Sequence, residues 1–238
     1  MTDREPKVLT FDVVGTLIDF EAGLLAYLRG ACAEAAALGD GAILDAYRLA
    51  RGAKEAWRFP DDLERVYAAI APGLGLPQDA AIAKGFAQSA RDWPPFADAV
   101  EALQRLGRRY RLVAMTNAAR WALDLMAVRL GNPFHDTVSV DEALCEKPDP
   151  QYFAFARGRL SRDGYTRDDI LHVAQSQYHD IGVAKRLGYT VCWIERRMGQ
   201  KGAGGTIAAA ERTEPHYHFA TLRELADLAE SGGLRQKV

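Results

Sequence analysis

The segment Val8-Leu9-Thr10-Phe11-Asp12-Val13-Val14-Gly15-Thr16-Leu17-Ile18-Asp19 decides how the rest of the chain is read. A short, largely apolar run climbs to one acid and breaks at Gly15. That pattern predicts a buried strand with a turn after it. The strand delivers Asp12 to its carboxyl end, and in open α/β sheets the ligand crevice lies just beyond such ends. An acid there is a site candidate by position alone.

Working outward from Asp19, the periodicity becomes helical. Stretches 21–37, 42–57, 62–74 and 78–91 carry apolar residues at helical spacing, separated by Gly39-Asp40-Gly41, Phe59-Pro60-Asp61 and Leu76-Pro77. Trp93-Pro94-Pro95-Phe96 is a stiff joint that reads as a hinge. Beyond it, helix and strand alternate: helix 97–106, strand 111–115, helix 119–130, a short strand near 137–139, a helix after Pro150, strand 170–174, helix 181–187 and strand 190–194. Such alternation argues a parallel sheet with helices on both faces. The expected fold class is therefore α/β, a Rossmann-like doubly wound parallel sheet core with an inserted all-helical cap domain. Residues 1–19 and 94–238 are the expected core and 20–93 the cap, which is sited to act as a lid. The glycine-rich stretch 199–206 reads as a mobile loop, because it opens no helix after a strand as a phosphate cradle would. A short run follows at 216–219, then a helix capped by Thr221 with Glu224 three residues on.

Composition narrows the function classes. With 48% hydrophobic residues in 238, a substantial core can be buried, and a formal net charge of -2 offers no basic field for nucleic acid. No apolar stretch is long enough to span a membrane and the first residues lack a secretory signal's apolar core, so a cytoplasmic location is expected. Cys32, Cys145 and Cys192 lack metal-ligand spacing and read as packing residues. Trp193 and the cap's aromatic residues likewise read as core.

Three more strand ends carry polar residues. Strand 111–115 runs into Thr116-Asn117, suited to an anionic group. Lys147-Pro148-Asp149-Pro150 fixes a cation between strands, and strand 170–174 runs into Gln175-Ser176 and then Asp180. Read singly, these are a strand cap, turn residues, a solvated lysine and a helix-start acid. Read together, they form a hydrolytic constellation. One acid serves as nucleophile, a lysine holds it ionised, and a second acid orients water.

The chain resembles the haloacid dehalogenase superfamily in Asp12-x-x-Gly15-Thr16, Thr116-Asn117, Lys147-Pro148 and the terminal Asp180, in that order and over nearly its whole length. The resemblance implies catalytic roles for Asp12, Thr16, Lys147 and Asp180. It implies substrate binding by Arg48, Thr116, Asn117, Gln175 and Ser176. Phosphatase members carry a second Asp two residues after the nucleophile and a Gly-Asp pair in the fourth motif. Val14 and Ala174-Gln175 stand there instead, so a Mg²⁺-dependent phosphatase is disfavoured. The chain is more similar to the L-2-haloacid dehalogenase branch, which implies a metal-independent hydrolase of small 2-substituted acids working through an aspartyl ester. No metal or other cofactor is expected. The partner implied is a small carboxylate substrate, with no nucleic acid and no membrane, and the family often forms homodimers.

Within the cap, Tyr47-Arg48 and Trp57 match the spacing around that branch's halide-receiving arginine. Arg48 also reads as a solvated helix charge, with Arg51 and Glu55 as an i, i+4 pair. Phe153 stands where the branch has Tyr, with Tyr152 one position early. The run Ala174-Gln-Ser-Gln-Tyr-His-Asp180 also resembles a sub-branch with an azetidine-2-carboxylate hydrolase, where His179 would protonate a leaving nitrogen. The reading from another class is a non-catalytic binder of small carboxylates, which would gain nothing from two buried carboxylates.

Overall fold

The computed structural model describes residues 4–236. Six strands form one parallel sheet: β1 (Val8–Phe11), β2 (Arg111–Met115), β3 (Asp136–Val138), β4 (Ile170–Ala174), β5 (Thr190–Ile194) and β6 (Tyr217–Phe219). Their order across the sheet is β3-β2-β1-β4-β5-β6. The chain winds outward from β1 to β3, returns to the other side of β1, and winds outward again. The reversal lies between β1 and β4, where a doubly wound sheet opens its crevice.

Alternation along the central strands separates two apolar layers. Leu9, Phe11, Leu112, Ala114, Leu171 and Val173 join one buried cluster. Val8, Val113, Met115, Ile170 and Ala174 join the other. Both faces are covered, as parallel sheets require. Leu9 and Phe11 are fully buried, which contributes about 2 kcal/mol each. Helices α5 (Ala99–Gly107) and α10 (Leu222–Glu230) cover the first face and α8 (Pro150–Arg162) the second. The capping box at Thr221 and Glu224 starts α10 as the sequence predicts.

After β1 the chain turns at Gly15, whose φ of +88° favours glycine and whose added Cβ would meet the Phe20 ring at 3.2 Å. Helices α1 (Phe20–Ala31), α2 (Asp40–Arg51), α3 (Leu63–Leu74) and α4 (Ala80–Gln88) then form the insert. Two expected helices are shorter than their periodicity suggests. Stretch 21–37 breaks at the extended residue Cys32 and resumes as a 3₁₀ turn, Ala33–Ala37. Stretch 42–57 stops at Arg51, capped by Gly52, so Glu55 lies beyond the helix and no i, i+4 pair with Arg51 forms. Arg51 instead reaches Asp62, a fully buried acid that it shares with Arg65.

The insert returns to the core beside its point of departure. Asp19 N–H donates to the Pro94 carbonyl at 2.8 Å and Phe96 N–H to the Leu17 carbonyl at 2.9 Å. Trp93 packs on Gly23 so closely that a Cβ there would lie 2.1 Å from its ring. Between β2 and β4 lie α6 (Arg120–Arg129), the short α7 (Val140–Ala143) and α8. The expected helix at 181–187 is preceded by a π-type turn, Gln177–Ile181, and continues as α9 (Gly182–Arg186). Such wide turns recur at functional sites.

Candidate active site

The carboxyl ends of β1, β2 and β4 each deliver one predicted motif, and the loop before α8 delivers the fourth. Asp12 directly follows β1, its N–H still in the sheet and donating to the Val173 carbonyl at 3.0 Å. Lys147 joins the motifs. Its buried ammonium donates to Asp12 Oδ1 at 2.9 Å, to Asp180 Oδ1 at 2.6 Å and to the Met115 carbonyl at 2.8 Å. All three protons are thereby used.

The other oxygen of Asp12 accepts the Thr16 hydroxyl at 2.6 Å. Thr16 Oγ1 in turn accepts the Gln175 backbone N–H at 2.9 Å, tying the first motif to the fourth. Asn117 uses both ends of its amide on the loop that carries the lysine. Its Oδ1 accepts Lys147 N–H and its Nδ2 donates to the Lys147 carbonyl, each at 2.8 Å. Tyr152 lies beneath, its hydroxyl within 2.8 Å of the Thr116 carbonyl and its ring centroid 5.9 Å from Lys147 Nζ. Ser176 caps the wide turn by accepting His179 N–H at 3.0 Å and meets His179 Nδ1 at 3.1 Å. That turn aims Asp180 inward.

Electrostatics separate the two acids. Burial raises the Asp12 carboxyl above the ordinary 3.8; Lys147 opposes this and the Asp180 charge adds to it. Lys147 acts in the direction the sequence suggests, favouring the ionised form of Asp12, but desolvation is the larger influence and the net direction is upward. Burial works against ionisation of Asp180 too, yet Lys147 and His172 overcome it and hold that carboxyl at about 2. Burial works against charge on Lys147 as well, but the two carboxylates prevail and raise its pKa. Burial lowers His179 to about 4, leaving a neutral imidazole at neutral pH.

A cavity of about 100 Å³ opens over this cluster. Its floor includes Asp12, Thr116, Asn117, Lys147 and Asp180, with Val14, Gln175, Ser176 and His179 beside them. Its roof comes from the insert, through Phe20, Tyr47, Arg51 and Phe59. Gly205, Thr206 and Ile207 close one side. Of the predicted residues, only Thr16 and Arg48 stand outside this wall. Thr16 supports Asp12 from behind. Arg48 turns away, to the Gly204 carbonyl at 2.5 Å and to Asp45 at 2.7 Å. The reason is helical geometry: at 100° per residue, Arg51 lies 40° around the axis from cavity-lining Tyr47, whereas Arg48 lies 100° around. Arg51 is held by Asp62 at 2.5 Å and by the Trp57 carbonyl at 3.1 Å, with its guanidinium 5.4 Å from the Phe59 ring centroid.

Other expectations need correcting. Phe20 and Tyr47 are both core and cavity wall, and Trp57 is 53% exposed. Trp193 is core, as expected. The end of the 199–206 stretch is docked between insert and core, while 199–203 is exposed: Gly205 N–H donates to Glu21 Oε1 of the insert at 2.7 Å, and Thr206 Oγ1 donates to Gln175 Oε1 of the core at 3.2 Å. His172, which the motif reading passes over, contacts Asp180 from β4. Its signal was a single polar ring in an otherwise apolar strand, in register with Thr10.

A buried carboxylate at the base of a small cavity, braced by a lysine that also holds a second acid, defines a class. A model of the haloacid dehalogenase-like hydrolases matches residues 6–188, and the chain belongs to that family. Among curated proteins it is 26% identical over 129 residues to an (S)-2-haloacid dehalogenase of Pseudomonas fluorescens, covering 53% of this chain and 55% of that one. It is 31% identical over 105 residues to haloacetate dehalogenase H-2 of Moraxella sp. (strain B), covering 43% and 45%. The chain thus spans about half the length of the curated relatives it matches. Among solved structures, L-2-haloacid dehalogenase from Xanthobacter autotrophicus with chloropropionic acid covalently bound superposes with a TM-score of 0.70 at 21% identity. That match covers 94% of this chain and 98% of the other, and it establishes the shared fold of Rossmann-like core and helical cap.

Proposed function

We propose that this chain is a metal-independent hydrolase of small 2-substituted carboxylic acids, with (S)-2-haloacids as its substrates, working through an ester on Asp12. The observation that carries the reading is the pair of buried acids bridged by Lys147 on the floor of the cavity, one raised by burial and the other held at about 2. Residues 20–93 act as the cap and 1–19 with 94–238 as the core, of which 1–3 and 237–238 lie outside the described residues.

Asp12 attacks C2 of the substrate in line, forming a C–O bond as the C–halogen bond breaks and halide leaves with the electron pair. Halide needs no proton, so Val14 is tolerated on the cavity wall. Arg51, in place of Arg48, offers the departing anion a cation fixed by Asp62. Thr116 and Ser176 receive the substrate carboxylate, while Asn117 acts by positioning the lysine loop. Water then attacks the ester carbonyl carbon of Asp12 and gives a proton to Asp180. The acyl C–O bond breaks, the departing 2-hydroxy acid takes that proton on its alkoxide oxygen, and Asp12 returns to its carboxylate by releasing its own proton to solvent. Lys147 stabilises the charge that develops. Lys147 already supplies a cation to both carboxylates, and Val14 and Gln175 provide no further acid for a hard metal ion.

The ring-opening alternative draws less support, because a neutral His179 carries no imidazolium proton for a leaving nitrogen. The test is turnover of (S)- and (R)-2-chloropropionate, chloroacetate, azetidine-2-carboxylate and p-nitrophenyl phosphate with chelator present. Halide from the S acid is expected. Phenolate release that requires added Mg²⁺ would overturn the reading. A single turnover in ¹⁸O-water should label Asp12, and label confined to the product would contradict the ester.

A further inference from the structure

We infer that His172 is a positioning residue for the water-activating acid, fixing one oxygen of Asp180 so that the other is presented to the hydrolytic water. The inference rests on the proposed ester route. Asp180 Oδ1 is held by two donors, Lys147 Nζ at 2.6 Å and His172 Nε2 at 3.1 Å. Its partner oxygen Oδ2 is buried and has no hydrogen-bond partner among the described residues. A buried carboxylate oxygen left unpaired is costly unless something enters to satisfy it. Asp180 lines the same cavity as Asp12, where a water attacking an Asp12 ester has to stand.

His172 is built to hold that arrangement. It is fully buried in β4, directly beside Thr10 of β1, and the Thr10 hydroxyl meets its Nδ1 at 2.9 Å. An ionised carboxylate only accepts, so Nε2 carries a proton. In the neutral ring Thr10 donates to Nδ1 and locks that tautomer. Phe153 packs edge-on at 5.3 Å between ring centroids, fixing the ring plane. The chain Thr10–His172–Asp180–Lys147–Asp12 thereby runs unbroken across the strand ends, and Asp180 has one free oxygen.

His172 is fully buried and does not line the cavity, so its loss should separate the two chemical steps. In His172→Phe, halide release in the first turnover should match wild type, while ester hydrolysis falls about tenfold, the scale of one lost charge-assisted hydrogen bond. The enzyme should then accumulate as the Asp12 ester, read as added mass on the intact protein after mixing with (S)-2-chloropropionate. Equal slowing of both steps, or of neither, would overturn the inference. If the Phe variant does not fold, His172→Gln and His172→Asn decide. The Gln amide nitrogen reaches the Nε2 position and Asn does not, so faster ester hydrolysis in Gln is expected and equal rates overturn the proposal. Nitrogen-15 NMR of the resting enzyme tests the bond without substrate. A ring protonated on Nδ1 alone contradicts the inference, whereas an Nε2-protonated ring with no halide released by wild type sinks the dehalogenase reading instead.

Discussion

Lys147 engages only one oxygen of Asp180, Oδ1 at 2.6 Å, and leaves Oδ2 without a partner among the described residues. On the proposed route this asymmetry gives the second acid a task separate from that of the first. In Asp180→Asn, ester formation should survive and hydrolysis should fail, by about 10³-fold or more for loss of a group acting directly in that step. Burst kinetics check this: one halide per site should appear, followed by arrest. A variant that turns over steadily would show that water is activated elsewhere.

The raised pKa of Asp12 sets the acid limb of the pH profile. Below that pKa the carboxyl is protonated and cannot attack, so ester formation falls as pH drops through a midpoint above 3.8. Asp180, held at about 2, stays ionised over this window, and Lys147 stays protonated. Single-turnover halide release across pH measures the midpoint. A value at or below 3.8 would mean that the lysine outweighs burial after all.

Arg51 and Arg48 make a discriminating pair. Arg51→Gln removes the cavity's cationic roof and should lower kcat/KM by about 100-fold, as for loss of one preorganised charge near a leaving anion. It also takes one partner from buried Asp62, so a modest loss of Tm accompanies it. Arg48→Gln should stay within about threefold of wild type, since its contacts are the Gly204 carbonyl and a largely exposed Asp45. The reverse ranking in steady-state assays would restore the expectation from the sequence.

Gly205 is a steric gauge. A Cβ there would stand 2.8 Å from the Phe20 ring and 3.2 Å from Tyr47, both cavity-lining. Gly205→Ala should press those rings inward and favour chloroacetate over 2-chloropropionate by roughly tenfold, the scale of one methyl group in a closed pocket. An unchanged ratio of kcat/KM values would separate this loop from substrate size.

Much of this architecture was legible because it is local. Strands β2, β4 and β5 match their expected limits, since a buried parallel strand writes itself as a mostly apolar run. Asp12 was found because it sits at a strand end, Lys147 because it sits beside a proline, and Asp180 because it follows the polar residues after β4. What the sequence hid depends on contacts between distant segments. Nothing near His172 announces that Thr10 will be its neighbour. Choosing Arg51 over Arg48 requires knowing that Tyr47 faces the cavity. The docking of Gly205 on Glu21, Phe20 and Tyr47 spans more than 150 positions and has no periodic signature.

The division of labour around the cavity has an evolutionary corollary. On the proposed route, reactivity resides in Asp12, Lys147 and Asp180 at or beyond the strand ends of the core, whereas the shape of the admitted molecule is drawn by Phe20, Tyr47, Thr206 and Ile207 on the insert and a loop. These two sets are encoded apart and can drift apart. Randomising the second while keeping the first is accordingly the direct route to new substrate ranges on an unchanged reaction centre.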